Sequence, residues 1–161
     1  MALLHESLYR TGVYASANLD VYLRELATLA FRAQAPADTR VRLQLALAPV
    51  RVGLNQGTPC GLIVNELISN ALKHGFPQNQ PGTVEVSLQP LAQTGEVCLQ
   101  VVDSGIGFPA AGLPPPGGQS LGLQLVHDLA RQLDATLELG PGSRVRLVFR
   151  PDEPAPAGPP P

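Results

Sequence analysis

The chain has 161 residues, of which 44% are hydrophobic and 4% aromatic, and its formal net charge is −2. This length suits one ordinary domain with one core, and the charge lacks the basic footprint of a nucleic-acid or membrane-surface protein. Two cysteines without CxxC spacing, Cys60 and Cys98, predict buried thiols in a reducing compartment. Without a run of 18 apolar residues or a signal-peptide pattern, the sequence predicts a cytoplasmic chain with no membrane contact.

The first predicted elements are helical. Residues 1–10 place Leu4 and Leu8 four positions apart, which is typical of the last turns of a helix. A longer helix is predicted over Leu19–Ala33, with Asn18 as its N-cap. Its predicted buried face consists of Leu19, Tyr22, Leu23, Leu26 and Ala30.

A strand and a turn lead into the central helix. Apolar residues alternate from Val41 to Leu47, which predicts a strand with one buried face. A turn region with Pro49, Gly53, Gly57 and Pro59 follows. The segment Gly61–Phe76 then predicts a helix that stops at Gly75, with Pro77 just beyond. Its apolar stripe consists of Cys60, Ile63, Val64, Leu67, Ile68 and Ala71.

Four polar residues form a second stripe on the central helix. Glu66, Asn70, Lys73 and His74 fall at i, i+4, i+7 and i+8, beside the buried face. A carboxylate, an amide, an ammonium and an imidazole are thus directed to one side. An ordinary solvated helix flank has the same pattern, so this stripe alone does not establish a functional site.

Two further strands end at a glycine turn. Val84–Leu88 and Val97–Val101 alternate, and the short connection between them predicts an antiparallel hairpin. Asp103 closes the second of these strands. Gly105 and Gly107 are predicted to turn the backbone with positive φ and to let a ligand approach it closely.

The C-terminal part contains one more helix and two strands. Phe108–Gln119 is too rich in proline and glycine for a regular element, and Ser120 is predicted to cap a helix that runs to Leu133. The predicted buried row of this helix is Leu121, Leu125, Leu129 and Leu133. Strands are predicted at Thr136–Leu139 and Arg144–Phe149, with a turn at Gly140–Gly142 between them. The elements together predict an α+β two-layer sandwich, with a largely antiparallel sheet and helices on one face.

Three motifs in this order resemble the ATP-binding domain of bacterial sensor histidine kinases. They are Glu66-x-x-x-Asn70-Ala71-x-Lys73-His74, Asp103-x-Gly105-x-Gly107 and Ser120-Leu121-Gly122-Leu123. The subgroup with ELxxNAxKHxF and SLGLxLV motifs is the most similar, and the domain belongs to a superfamily shared with DNA gyrase, the Hsp90 chaperones and the MutL repair proteins. The resemblance runs from about Leu3 to Phe149 and implies the Bergerat-type ATP-binding fold with a mixed, mostly antiparallel sheet.

The resemblance implies a role for each residue of a nucleotide site. Asp103 would accept a hydrogen bond from the adenine 6-amino group and so select adenine over guanine. Asn70 would bind Mg²⁺, an ion that prefers oxygen ligands, and Lys73 would contact the phosphates of ATP. His74 would assist Lys73 or stand at the pocket edge. Glu66 would act as a base or contact a metal-bound water.

Further nucleotide contacts are implied around these residues. The helix N-terminus after the glycine-rich loop offers free N–H groups and the positive end of a dipole to phosphates. Ser143 stands where the family often has a threonine near adenine, although an ordinary turn serine fits equally well. The implied additional contacts are Gly105, Ile106, Gly107, Gly118, Ser120, Leu121, Gly122, Leu123 and Ser143.

The favoured function is the catalytic domain of a two-component sensor histidine kinase, which moves the γ-phosphoryl of Mg·ATP to a histidine. Residues 1–15 match only the end of the dimerisation hairpin and a linker, so the acceptor histidine would lie elsewhere and His5 would not be that acceptor. Residues 16–150 would be the ATP-binding domain, and 151–161 a disordered tail. The expected partners are a histidine-bearing dimerisation domain and a response regulator. A docking module without kinase activity and an anti-sigma-type serine kinase are the alternatives.

Overall fold

The computed structural model describes residues 16–106, 121–140 and 142–152. The helices are α1 (Leu19–Gln34), α2 (Leu54–Asn70) and α3 (Leu121–Gln132). The strands are β1 (Ser16–Asn18), β2 (Val41–Leu47), β3 (Arg51–Gly53), β4 (Gly82–Leu91), β5 (Glu96–Asp103), β6 (Thr136–Leu139) and β7 (Ser143–Phe149). A π-helical turn, Ala71–Gly75, continues α2 directly.

Five strands form the main sheet, in the order β2-β4-β5-β7-β6. β2 runs parallel to β4, and the other neighbouring pairs are antiparallel. The inner residues of the central strands are almost fully buried, as their alternation predicts: Val84, Val86, Leu88, Val97, Leu99, Val101, Val145, Leu147 and Phe149. The predicted α+β sandwich with a mixed, mostly antiparallel sheet is therefore confirmed.

Helix α1 keeps its predicted buried face but not its predicted cap. Leu19, Tyr22, Leu23, Leu26 and Ala30 are all buried. Asn18 stands at the N-cap position, yet its side chain makes no capping hydrogen bond. The chain is instead fixed at this point by backbone contacts, because the N–H of Leu19 donates to the Val50 carbonyl at 2.8 Å.

The central helix begins at Leu54, so the predicted start at Gly61 is wrong. Gly57 and Pro59 are turn formers by composition, but both are buried inside the helix. Gln56 helps to close the first turn, since its Oε1 accepts a hydrogen bond from the Gly53 N–H at 3.1 Å. Tertiary packing and this contact outweigh the local preference of glycine and proline for a turn. The predicted apolar stripe of the helix is buried.

Helix α3 buries only part of the predicted row: Leu129 and Leu133 are confirmed, and Leu125 is not. Leu125 is 37% exposed, whereas Val126, Leu129, Ala130 and Leu133 are buried. A row at strict i+4 spacing drifts around an α-helix of 3.6 residues per turn, so it cannot keep one face toward the core. The buried residues are instead related by steps of both three and four, since Val126 precedes Leu129 and Ala130 by three and four positions, and Leu133 follows Ala130 and Leu129 by the same steps.

The two ends of the described domain meet at the first turn of α2. β1 pairs with β3 in a short antiparallel ribbon that the sequence does not predict, with Ser16 opposite Gly53. The buried Gln56 side chain accepts from the Asp152 N–H at 2.8 Å and donates to the Arg150 carbonyl at 2.9 Å. These contacts reach Asp152, two residues beyond the predicted boundary at 150. Residues 1–15 and 153–161 lie outside the described residues.

Both cysteines are free; Cys60 is fully buried and Cys98 is half-buried. In the part of the chain that the structure covers, we find no helix of the length and apolar character that crossing a membrane requires.

Candidate nucleotide-binding site

The π turn after α2 carries two of the predicted site residues. Asn70 still has α-helical dihedral angles (φ −62°, ψ −42°), and Lys73 and His74 follow in the turn. Glu66 and Asn70 are half-buried, whereas Lys73 and His74 are exposed. Because a π turn holds more residues than an α turn, the positions after Asn70 depart from ideal α spacing. Such turns inside helices occur frequently at functional sites.

The glycine turn after β5 is fastened to this π turn. The N–H of Ile106 donates to the Gly75 carbonyl at 2.9 Å. A Cβ on Gly105 would overlap that carbonyl oxygen and would lie 2.9 Å from Asp103 Oδ1. Gly105 is therefore required by a close approach of two backbone segments.

The predicted positive φ at Gly105 is wrong. Among the described glycines, only Gly95 and Gly142 have positive φ. The absence of a side chain, and not left-handed backbone geometry, is what the turn uses at Gly105. Gly107 lies outside the described residues.

Asp103 is held in place by its own turn. Its Oδ1 accepts a hydrogen bond from the Gly105 N–H at 2.9 Å, and the residue is half-buried. A Cβ added to Gly75 would lie 3.2 Å from the same oxygen. The carboxylate thus lies between the end of the sheet and the π turn, and the anchored Oδ1 leaves Oδ2 able to accept from a ligand.

Ser143 is the first residue of β7 and stands directly opposite Asp103 in the sheet register. It is buried, with 9% of its surface exposed. Directly opposite residues on antiparallel strands project from the same face, so the structure brings Ser143 and Asp103 together.

The remaining predicted contacts lie on other segments of the chain. Ile106 is 65% exposed, which leaves an apolar side chain available beside the glycine turn. Leu121, Gly122 and Leu123 form the start of α3, a helix that packs against α2. Gly118, Ser120 and the expected loop 108–119 lie outside the described residues.

A metal ion would depend on few protein ligands here. Within the described ranges, no group of three or more His, Cys, Asp or Glu side chains is arranged to hold one. Mg²⁺ commonly takes one or two protein oxygens and completes its shell with phosphates and waters. The half-buried amide of Asn70 offers one such oxygen, so this donor set fits a nucleotide-bound Mg²⁺.

Two contributions to the site were missed by the sequence analysis. Gly75 is predicted only as a helix stop, yet its carbonyl anchors the glycine turn. Ser104 is not singled out, although it ties the turn to β4: its Oγ accepts from the Thr83 N–H at 2.9 Å, and its N–H donates to the Thr83 carbonyl at 3.0 Å. The glycine at the end of the polar stripe is the only sequence signal for the first contact, and none exists for the second.

The described chain thus has a mixed sheet with helices packed against it, and an asparagine-bearing helix whose end is hydrogen-bonded to the Asp103–Gly105 turn. The family model for histidine kinase-, DNA gyrase B- and HSP90-like ATPases matches residues 55–153, and the chain belongs to this family.

The similarity extends to one curated protein and to solved structures. The autoinducer 2 sensor kinase/phosphatase LuxQ of Vibrio cholerae is 31% identical over an alignment of 121 residues, and the match covers 56% of this chain and only 14% of that protein. The histidine kinase domain of the blue-light activated kinase EL346 from Erythrobacter litoralis has a TM-score of 0.79 at 24% identity, over 91% of this chain and 74% of that one. The mycobacterial sensor histidine kinase MprB has a TM-score of 0.65 at 19% identity, over 84% of this chain and 99% of that one. The two structural likenesses concern the fold, and with the family match they confirm the predicted class of domain.

Proposed function

We propose that the chain is the catalytic ATP-binding domain of a two-component sensor histidine kinase. It transfers the γ-phosphoryl of Mg·ATP to a histidine on a dimerisation domain. The observation that carries the proposal is the hydrogen bond between Ile106 and Gly75, since it joins the Asp103 turn to the turn that bears Lys73 and His74. The proposed base-reading group and the proposed phosphate-binding groups are thereby held by the same pair of hydrogen-bonded turns.

Asp103 reads the base in this proposal. With Oδ1 held by the Gly105 N–H, the carboxylate is oriented before a nucleotide arrives, and it accepts a hydrogen bond from the adenine 6-amino group. Guanine presents a carbonyl at that position, so two acceptors would face each other. Ser143 and Ile106 complete the base site, with a hydroxyl beside the carboxylate and an apolar surface at the rim.

The end of α2 binds the phosphates and the metal. Asn70 provides an oxygen to Mg²⁺, Lys73 provides a mobile cation to the phosphates, and His74 supports it. Bound Mg²⁺ supplies neutralisation of phosphate charge, which together with positioning accounts for most catalysis of phosphoryl transfer. The start of α3, at Leu121, Gly122 and Leu123, contributes backbone donors to the same group, and we assign the same role to Gly118 and Ser120.

Glu66 lies one helical turn before Asn70 and is half-buried. We assign it to orienting the attacking group or a metal-bound water near Asn70. Such a carboxylate acts on the approach of the nucleophile, whereas Asn70 acts on the nucleotide. The two residues therefore have separable effects on turnover and on binding.

The partners follow from the proposed reaction. The phosphoryl acceptor is a histidine on a dimerisation domain, in the same longer chain or in another protein, and the phosphoryl group then passes to a response regulator. The proposed location is the cytoplasm, where ATP is available.

The test is radiolabelled transfer from ATP to a hairpin domain that carries its histidine, supplied by fusion upstream or as a second protein. We expect label on the hairpin only, and none on His5, His74 or His127, because proximity to the acceptor is what the hairpin contributes. Asn70→Ala should abolish transfer with the fold intact. Asn55→Ala is the matched control, because Asn55 is an exposed amide at the other end of α2.

A docking module without catalysis is the competing outcome. If the reconstituted wild type binds Mg·ATP yet labels nothing, the kinase assignment fails and the docking function replaces it. Label on a serine of the partner would instead point to a protein serine kinase.

A further inference from the structure

A cleft with a volume of ≈ 130 Å³ opens between the loop after α1, the start of β2 and the π turn. It is lined by Pro36, Asp38, Thr39, Val41, Leu72, Phe76 and Asn79. Its size approaches that of engineered cavities of about 150 Å³ that bind benzene. The cleft can therefore hold a small organic group, and the proposed function makes no use of it.

The lining combines an apolar and aromatic surface with one carboxylate. Val41, Leu72 and Phe76 supply the apolar part, and the exposed Asp38 supplies the charge. No Lys, Arg or His is among the described residues that line the cleft. Helix α1 ends just before this loop, so the negative end of its dipole adds to the negative potential of Asp38. Phe76 and Asp38 line the same cleft, and the combination of an aromatic ring with a negatively charged residue favours an organic ammonium ion.

The wall of the cleft is a segment with unusual backbone geometry. Leu72 belongs to the π turn, and beyond it Gln78 and Asn79 have φ of 59° and 55°. Non-glycine residues disfavour that left-handed region, and such conformations gather at binding and switch segments. Asn79 Nδ2 donates to the Asp38 carbonyl at 3.1 Å, which ties the segment to the opposite wall.

The same segment faces the nucleotide site through neighbouring residues. Leu72 and Phe76 line the cleft, while Lys73 and Gly75 lie between them in the chain. The Phe76 ring packs on the Gly82 backbone, where an added Cβ would overlap it and would lie 2.6 Å from Ser104 Oγ. A group in the cleft would therefore contact the π turn through Leu72, and would contact Phe76, whose ring lies beside Gly82 near Ser104 of the Asp103 turn.

We propose that this cleft is a regulatory site for a small organic ammonium ion with a short apolar body. Its occupation stabilises the π turn and thereby strengthens nucleotide binding. The binding of the ammonium ion is independent of the proposed function, and only its effect on nucleotide affinity rests on that function.

The test is an NMR titration of the 161-residue chain with n-butylammonium, 1-butanol and butyrate at constant ionic strength. We expect saturable shifts at Thr39, Leu72 and Phe76, with the highest affinity for n-butylammonium and the lowest for butyrate. Asp38→Asn should weaken n-butylammonium binding by about threefold and leave 1-butanol unchanged, because an exposed charge pair contributes modestly. Asp134→Asn, a change at another exposed aspartate, should alter neither.

Equal affinities for the three probes, or shifts that saturate elsewhere in the chain, would overturn the ammonium site. Phe76→Leu tests the ring and should reduce the preference for n-butylammonium over 1-butanol; if this variant does not fold, Asp38→Asn alone decides. Saturating n-butylammonium should lower the Kd for ADP, and ADP should lower the Kd for n-butylammonium by the same factor. An unchanged Kd would remove the regulatory role, whereas no ADP binding at all would count against the proposed function and leave the titration to judge the cleft.

Discussion

At the scale of single residues, the carboxylate of Asp103 is oriented by its own backbone turn. The hydrogen bond from the Gly105 N–H to Oδ1 leaves one oxygen for a ligand. The backbone turn itself therefore restricts the rotation of the Asp103 side chain before a ligand binds. A carboxylate that is fixed in this way loses little conformational entropy when it binds a ligand.

Asp103→Asn should weaken ADP binding by about 1–3 kcal/mol, because the amide can still accept from Gly105 but presents a donor to the adenine amino group. Calorimetry with ADP and GDP measures the effect. We expect the loss for ADP and a reduced ratio of the two affinities. Asp134→Asn serves as the control, since it changes the same charge at an exposed position. Equal weakening of both nucleotides would show that Asp103 acts on structure and not on the base.

At the scale of elements, α2 is held against α1 by a close approach at Gly61. An added Cβ would lie 2.5 Å from Tyr22 Oη and 2.7 Å from Cε2. Tyr22 is only 1% exposed, so the ring has no room to move aside. Glycine at this point is a packing requirement of the two-helix contact.

Gly61→Ala should destabilise the domain by about 1 kcal/mol. Alanine gains about 1 kcal/mol of helix propensity over glycine, but overpacking a buried contact costs about 1–3 kcal/mol. Urea unfolding measures the balance. In a double-mutant cycle with Tyr22→Phe, removal of Oη should relieve part of the strain, and additive effects of the two changes would contradict the proposed clash.

The elements also mark how far sequence patterns reach. Alternation in β4, β5 and β7, and the apolar stripe of α2, predict both the element and its buried face, because each depends on a short period along the chain. The β1–β3 ribbon has three residues per strand, too few for any period. The start of α2 and the anchoring role of Gly75 depend on partners far away in the sequence, Arg150 and Ile106, and these contacts leave no local pattern.

The candidate site divides in the same way. The residue types of Asn70, Lys73 and Asp103 and the motif resemblance predict which side chains belong to it. The sequence does not predict the π turn, which changes the spacing of Lys73 and His74 relative to Asn70. The sequence also suggests the wrong reason for a glycine at position 105, namely positive φ. The true reason is the close approach of the Gly75 carbonyl, which can be recognised only when both backbone segments are in place.

At the scale of the whole molecule, two buried acids make the fold sensitive to alkaline pH. Burial raises the pKa of the Cys60 thiol to about 12. Burial, followed by the nearby Cys60, raises the pKa of the Tyr22 hydroxyl to about 12 as well. An unfolded chain releases these protons near pH 8.5 and pH 10. The folded chain keeps them to higher pH, so their contribution to stability is complete below about pH 8.5 and is lost as the pH rises toward 12.

The free energy of unfolding should therefore fall above about pH 8.5, with a slope of about 1.4 kcal/mol per pH unit for each of the two groups. Urea unfolding at several pH values under reducing conditions measures the slope. In the Cys60→Ala variant, the free energy of unfolding should no longer fall between about pH 8.5 and 10, but it should still fall above about pH 10, where Tyr22 of the unfolded chain ionises. An identical slope in the variant would assign the effect to other groups.

The carboxamide of Gln56 joins the place where the chain enters the described domain to the place where it leaves. Ser16 lies opposite Gly53 in the ribbon, and Gln56 Oε1 accepts hydrogen bonds from the N–H groups of both Gly53 and Asp152. A domain whose two ends lie side by side, as those of the described domain do, can be inserted into a longer chain or circularly permuted without a change in its fold. Force applied at either end of the described domain would therefore act on the contacts around the first turn of α2 before it acted on any strand of the main sheet.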